Sequence, residues 1–200
     1  MKRLLAALLV MALPAWAATP TGCATLCGNW QLDSSLSDTV EPVLDAALAT
    51  YKAPRARRIP NASSDDMAGR IEEEMERSLG PIHDRPGRAA LRSELLQRLT
   101  VPQKLDLEAR GEGLAIQGDG GLARRIVPGT PHSRVDANGT AKIRSSWKSG
   151  ALVVSEDYGR KNSYTETYAV ERKDATLLVT REVRRPGMKL LRIRSVYRRS

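Results

Sequence analysis

Residue types that do chemistry are few in this 200-residue chain, and their spacing is poor for it. The two histidines, His83 and His132, lie in proline-flanked loops, and neither has a partner at H-x-H or H-E-x-x-H spacing. A metal site therefore has no ligand set to start from. No G-x-S-x-G elbow is present to raise a nucleophile. His132 beside Ser133 is the one pair from which a hydrolase is conceivable, and it would need a carboxylate supplied by the fold. The glycines between Gly111 and Gly121 separate strand-like runs, so they do not form the strand-to-helix loop that cradles phosphate. Glu156, Asp157 and Glu166 fall on predicted strands, where cross-strand pairing with the many arginines is the plainest use. These residues predict a protein that is not an enzyme and carries no metal or cofactor.

Cys23 and Cys27 are the only cysteines. Their spacing suits a small disulfide loop in an oxidising compartment, contributing about 2 kcal/mol against local unfolding. Export is also written at the N-terminus: Lys2-Arg3, an apolar run from Leu4 to Leu13, and an A-x-A ending at Ala17 form a signal peptide over 1–17. The apolar run is too short for a membrane span, which takes about 20 residues. A lipoprotein anchor at Cys23 is the alternative, since Gly22-Cys23 resembles the end of a lipobox.

The formal charge is +9, and +7 once Lys2 and Arg3 leave with the signal (9 − 2 = 7). On an exported protein, that balance points to anionic lipid, lipopolysaccharide or acidic polymer before nucleic acid. Arg55, Arg57 and Arg58, between Pro54 and Pro60, form a candidate basic surface.

The elements that must position these residues divide at Pro102. Before it, Gly28 to Asp33 alternates as one strand, and Val40, Val43, Leu44, Ala47, Leu48 and Tyr51 mark a helix with Asp38 and Glu41 as a capping-box pair. A second helix is expected from Ser63 or Ser64 to Leu79. A third follows Asp84 and buries Leu91, Leu95, Leu96 and Leu99. After Pro102 the period falls to two, and short strands alternate with hairpin-length turns up to Arg199. Pro128 to Thr140 reads as a long loop. At the last hairpin, a three-residue turn in the Arg185-Pro186-Gly187 connector, rather than a two-residue one at Pro186-Gly187, keeps Arg181 from facing Arg192. It sets Leu177, Val179 and Val183 on one face with Leu191, Ile193 and Tyr197, leaving Arg192 and Arg194 outward and Arg181 stranded on the apolar face.

Gly28-Asn29-Trp30 resembles the G-x-W of a lipocalin first strand, and Arg192 or Arg194 resembles the terminal-strand cation that packs across that tryptophan. The resemblance to calycins implies a barrel in which Trp30, Arg192, Arg194, Trp147 and Tyr197 close one end or touch a ligand. Gly28 to Asp33, Ser37-Asp38 and Thr165-Glu166-Thr167-Tyr168 are also similar to uncharacterised exported proteobacterial proteins, which implies no activity.

The reading is α+β: a single domain over 18–200, with a first strand at 28–33, a three-helix insert at 38–101 and an antiparallel meander at 103–199. It forms a lipocalin-like barrel or strongly curved sheet of about eight or nine strands. The expected function is a periplasmic or secreted binding protein for an apolar or amphiphilic anionic ligand. The alternative is a basic envelope-associated protein that contacts anionic lipid or polymer.

Overall fold

The computed structural model describes residues 23–51, 87–136, 138–159, 161–171 and 175–200. The segment read as a signal peptide, Arg55, Arg57, Arg58, His83 and the expected second helix lie outside the described residues. Among the described residues, ten strands make one antiparallel sheet: β1 (Gly28–Leu32), β2 (Lys104–Arg110), β3 (Gly113–Gly118), β4 (Arg124–Ile126), β5 (His132–Asp136), β6 (Gly139–Lys148), β7 (Ala151–Asp157), β8 (Ser163–Glu171), β9 (Thr176–Arg184) and β10 (Leu191–Arg199). Their order is β4-β3-β2-β1-β10-β9-β8-β7-β6-β5. The first strand thus joins the two halves of the meander, pairing β2 on one side and β10 on the other.

This is the predicted lipocalin-like α+β sheet, with more strands than expected. The additional strand, β5, falls within the segment read as a long loop. Its sequence, His132-Ser133-Arg134-Val135-Asp136, shows no apolar alternation, because four of its five residues are exposed and its backbone is held by the ladder to β6. The last hairpin takes the odd register: Val183 faces Leu191, Glu182 faces Arg192 and Arg181 faces Ile193.

Three described helices accompany the sheet: α1 (Cys23–Leu26), α2 (Val40–Ala49) and α3 (Arg88–Leu99). The capping box expected at Asp38 does not form. Thr39 is the N-cap of α2, and the Asp38 carboxylate instead accepts the Arg194 N–H at 2.7 Å. Ser37 Oγ likewise accepts the Val196 N–H at 2.9 Å, so the turn after β1 satisfies the donors of β10 that β1 does not reach.

Leu44, Leu48, Leu91, Leu95 and Leu99 of α2 and α3 are all at most 2% exposed and pack with Val183, Leu191, Ile193 and Tyr164. Lifting both helices would expose these five leucines at a cost on the order of 10 kcal/mol. A second apolar cluster fills the rest of the inner face, around Trp30, Leu107, Leu152, Tyr168, Leu177 and Tyr197.

Candidate functional site

The two apolar clusters are separated by charge. Period two turns Tyr164, Glu166 and Tyr168 of β8 inward, together with Val179, Arg181 and Val183 of β9 and Ile193, Ser195 and Tyr197 of β10. The central member of each triplet is polar and buried. Glu166 stands directly opposite Arg181 in the ladder and accepts its Nε at 3.2 Å, while Arg181 Nη1 reaches Ser195 Oγ at 3.3 Å. From β4, Arg124 crosses to the second oxygen of Glu166 and donates to Tyr168 OH at 3.0 Å. The hydroxyls of Tyr164 and Tyr168 donate to Glu166 at 2.9 and 3.1 Å. One carboxylate therefore serves two guanidiniums, and the group carries a net positive charge inside the barrel.

Burial opposes ionisation of Glu166, but the charges of Arg124 and then Arg181 outweigh it and pull the carboxyl down to about 2. Burial, followed by the adjacent carboxylate, pushes the Tyr168 phenol up. The depressed Glu166 pKa stabilises the fold fully above its unfolded value near 4.5, and that contribution is lost as pH falls from about 4.5 towards 2. Urea midpoints measured from pH 6 to pH 2 should accordingly register a loss of about 3 kcal/mol. Most of this slope should vanish in Glu166→Gln.

A second charged group lies under α3. Buried Glu156 of β7 accepts from Arg98 of α3 and, at 2.9 Å, from Arg134 of β5. Tyr158 OH donates to Asp136 at 2.7 Å, and Arg98 lies over the Tyr164 ring at 4.5 Å. Here two cations meet two carboxylates and the charge balances. Arg185 with Glu94, and Arg92 with Asp45, complete the fastening of the helices to the rim and to each other. The two groups meet at Tyr164, which faces Glu156 in the ladder and hydrogen-bonds Glu166.

The residues expected from the sequence to form the site are not brought together as one group. Trp30 is buried, with its indole N–H donated to Leu26 O at 2.9 Å, and a cation does cover it. That cation is Arg199, 5.0 Å from the ring, and neither Arg192 nor Arg194. Register explains the correction: Arg199 is the β10 partner of Trp30, whereas Arg192 and Arg194 lie farther along the strand and pair outward with Glu182 and Glu171. Arg198 pairs with Asp33, so each outward arginine of β10 from Arg192 to Arg198 faces an acid. Gly28 has φ of 140°, a conformation open mainly to glycine.

Tyr197 is buried, and its hydroxyl donates to Pro102 O at 3.0 Å. Trp147 is half-buried against the cluster around Trp30. Cys23 and Cys27 are disulfide-bonded, which closes α1 beneath Trp30. His132 and Ser133 are consecutive on a strand and point to opposite faces, so they do not form a dyad.

Sequence reasoning missed Arg124, Arg181, Glu166, Tyr164 and Tyr168 as a group. A signal was nevertheless present: the correct register strands Arg181 on the apolar face, and Glu166 alternates with two tyrosines on the neighbouring strand.

Topology and buried charge together define a strongly curled antiparallel half-barrel with a polar layer across its interior. No family model and no curated protein matches the chain. Among solved structures, it is similar to a REP1-NXSQ fatty acid transporter, with a TM-score of 0.47 and 11% identity over 88% of this chain and 97% of that one. A secretory abundant heat soluble protein from Ramazzottius varieornatus has a TM-score of 0.45 and 12% identity, covering 88% and 96%. A fatty acid-binding protein from Drosophila melanogaster brain has a TM-score of 0.44 and 12% identity, covering 86% and 98%. None of these proteins lends a residue role to this chain.

Proposed function

We propose that the protein is an exported, non-catalytic binding protein that takes a single-chain amphiphile with an anionic head into its barrel. The observation carrying this reading is the pair of interior guanidiniums, Arg124 and Arg181, sharing the single carboxylate of Glu166. A structural ion pair needs only one cation for each carboxylate. The extra cation beside apolar walls suits a ligand that brings one negative charge and a hydrocarbon chain. The signal-like sequence over 1–17 and the Cys23–Cys27 disulfide support an oxidising, extracytoplasmic setting.

Native mass spectrometry of protein exported and purified without detergent should show a co-purified amphiphile of one charge class. Titration with a dansyl-labelled undecanoate should saturate. Arg181→Gln should weaken that binding about tenfold or more, corresponding to loss of one charge-assisted contact. The same substitution should leave binding of the matching alcohol nearly unchanged. No co-purified amphiphile together with no saturable titration would reject this function.

A further inference from the structure

The inner face of the sheet is not covered equally all round. On β6, the inward side chains Ala141, Ile143 and Ser145 are buried. Opposite them in the ladder, Arg134 and His132 of β5 also turn inward, yet both are exposed. Solvent thus reaches the inner side of the sheet at β5. The neighbouring feature is the end of the strand order, where β4 and β5 share no ladder among the described residues. Below this seam, the segment after β4 bonds across to β6: Gly129 N–H donates to Ser145 O at 2.7 Å, and Ser145 Oγ donates to Val127 O at 3.1 Å. That end is tied, whereas no ladder joins β4 at Arg124 to β5 at Arg134 among the described residues.

Cation exposure falls from the seam inward. The side chain of Arg134 is 42% exposed, that of Arg124 36% and that of Arg181 5%. Arg124 and Arg181 are already linked through Glu166, so an anion meeting the first cation has the next within one hydrogen-bonded step. The helical end is closed by the packed leucines and by the Arg98–Glu156 and Arg185–Glu94 pairs.

From this contrast we infer that the β4–β5 seam is the mouth of the binding site. An anionic head group is first drawn there to Arg124, whose group carries the surplus positive charge, past Arg134, which Glu156 and Asp136 already pair, while α2 and α3 stay seated. The inference rests on the binding function proposed above. Passage through the seam breaks no ladder hydrogen bond, whereas passage past the helices must separate a packed apolar face and two part-buried ion pairs. Surface cations at an opening also raise the encounter rate of an anion in a salt-dependent way.

Stopped-flow association of dansyl-labelled undecanoate with two modified forms of the full exported chain tests this. In the first form, Glu94→Cys and Arg185→Cys are joined by a short bismaleimide, which locks α3 to the rim; the native cysteines are bonded to each other and do not compete. In the second, His132→Cys is reacted with a bulky maleimide, and the unreacted variant serves as the control for folding. The helix lock should leave the association rate within about twofold, while the seam plug should lower it about tenfold or more.

Arg134→Gln should slow association several-fold and flatten its salt dependence. Slowing by the helix lock with no effect of the plug would overturn the inference while leaving the binding function intact. If the unmodified protein shows no association at all, both readings fall.

Discussion

Glu166→Gln is expected to lower the unfolding free energy by about 3–5 kcal/mol, the cost of removing one member of a buried ion network. The change is nearly isosteric, so packing is preserved and the loss is electrostatic. Arg181 is 4% exposed and cannot recover its hydration where it stands. For a domain of this size, the effect is a large share of a total stability of about 5–15 kcal/mol. Glu182→Gln is the matched control, because its partner Arg192 is exposed, and it should cost no more than about 1 kcal/mol. Urea unfolding at pH 7 reads both. If Glu166→Gln behaves like its control, water reaches the guanidiniums and the layer is hydrated. Saturating dansyl undecanoate should restore part of the loss in Glu166→Gln, since the bound anion replaces the missing charge.

Trp30→Ala should be of similar size, about 3–5 kcal/mol, for a different reason. The indole is 1% exposed at the centre of its cluster, and removing it leaves a cavity and an unpaired Leu26 carbonyl. Arg199 covers the ring from the exposed side and also donates to the carbonyls of Thr25 and Cys27. Arg199→Ala should therefore cost only about 0.5–1 kcal/mol. A double-mutant cycle with Trp30→Phe, read by thermal unfolding, should give a coupling of a few tenths of a kcal/mol or more. An additive cycle would mean that the guanidinium is held by the carbonyls alone.

The strands of the meander were legible because one face of each is buried, which forces alternation along Leu105-Asp106-Leu107 and along Tyr164 to Tyr168. The α2 stripe was legible for the analogous reason at helical period. β5 was not, because both of its faces are exposed and its strand geometry comes from the β6 backbone rather than from its own side chains. The cation over Trp30 was half legible. An arginine near the chain end was foreseeable, but choosing Arg199 over Arg192 needed the β1–β10 register, and no local pattern encodes a pairing between residues this far apart.

By itself, the sequence determined an antiparallel sheet with helices inserted after the first strand and a spacing at Cys23 and Cys27 that suits a disulfide; a cation over Trp30 came only as what the lipocalin resemblance implied. It also determined that Arg181 falls on an apolar face. Tertiary structure alone decided what that arginine is for. Glu166 is opposite it on one neighbouring strand, and Arg124 arrives from β4 across the curled sheet. Curvature joins residues that no periodicity relates. A buried charge keeps its ionised form only where such distant partners converge, and the sequence specifies that convergence only through the fold as a whole.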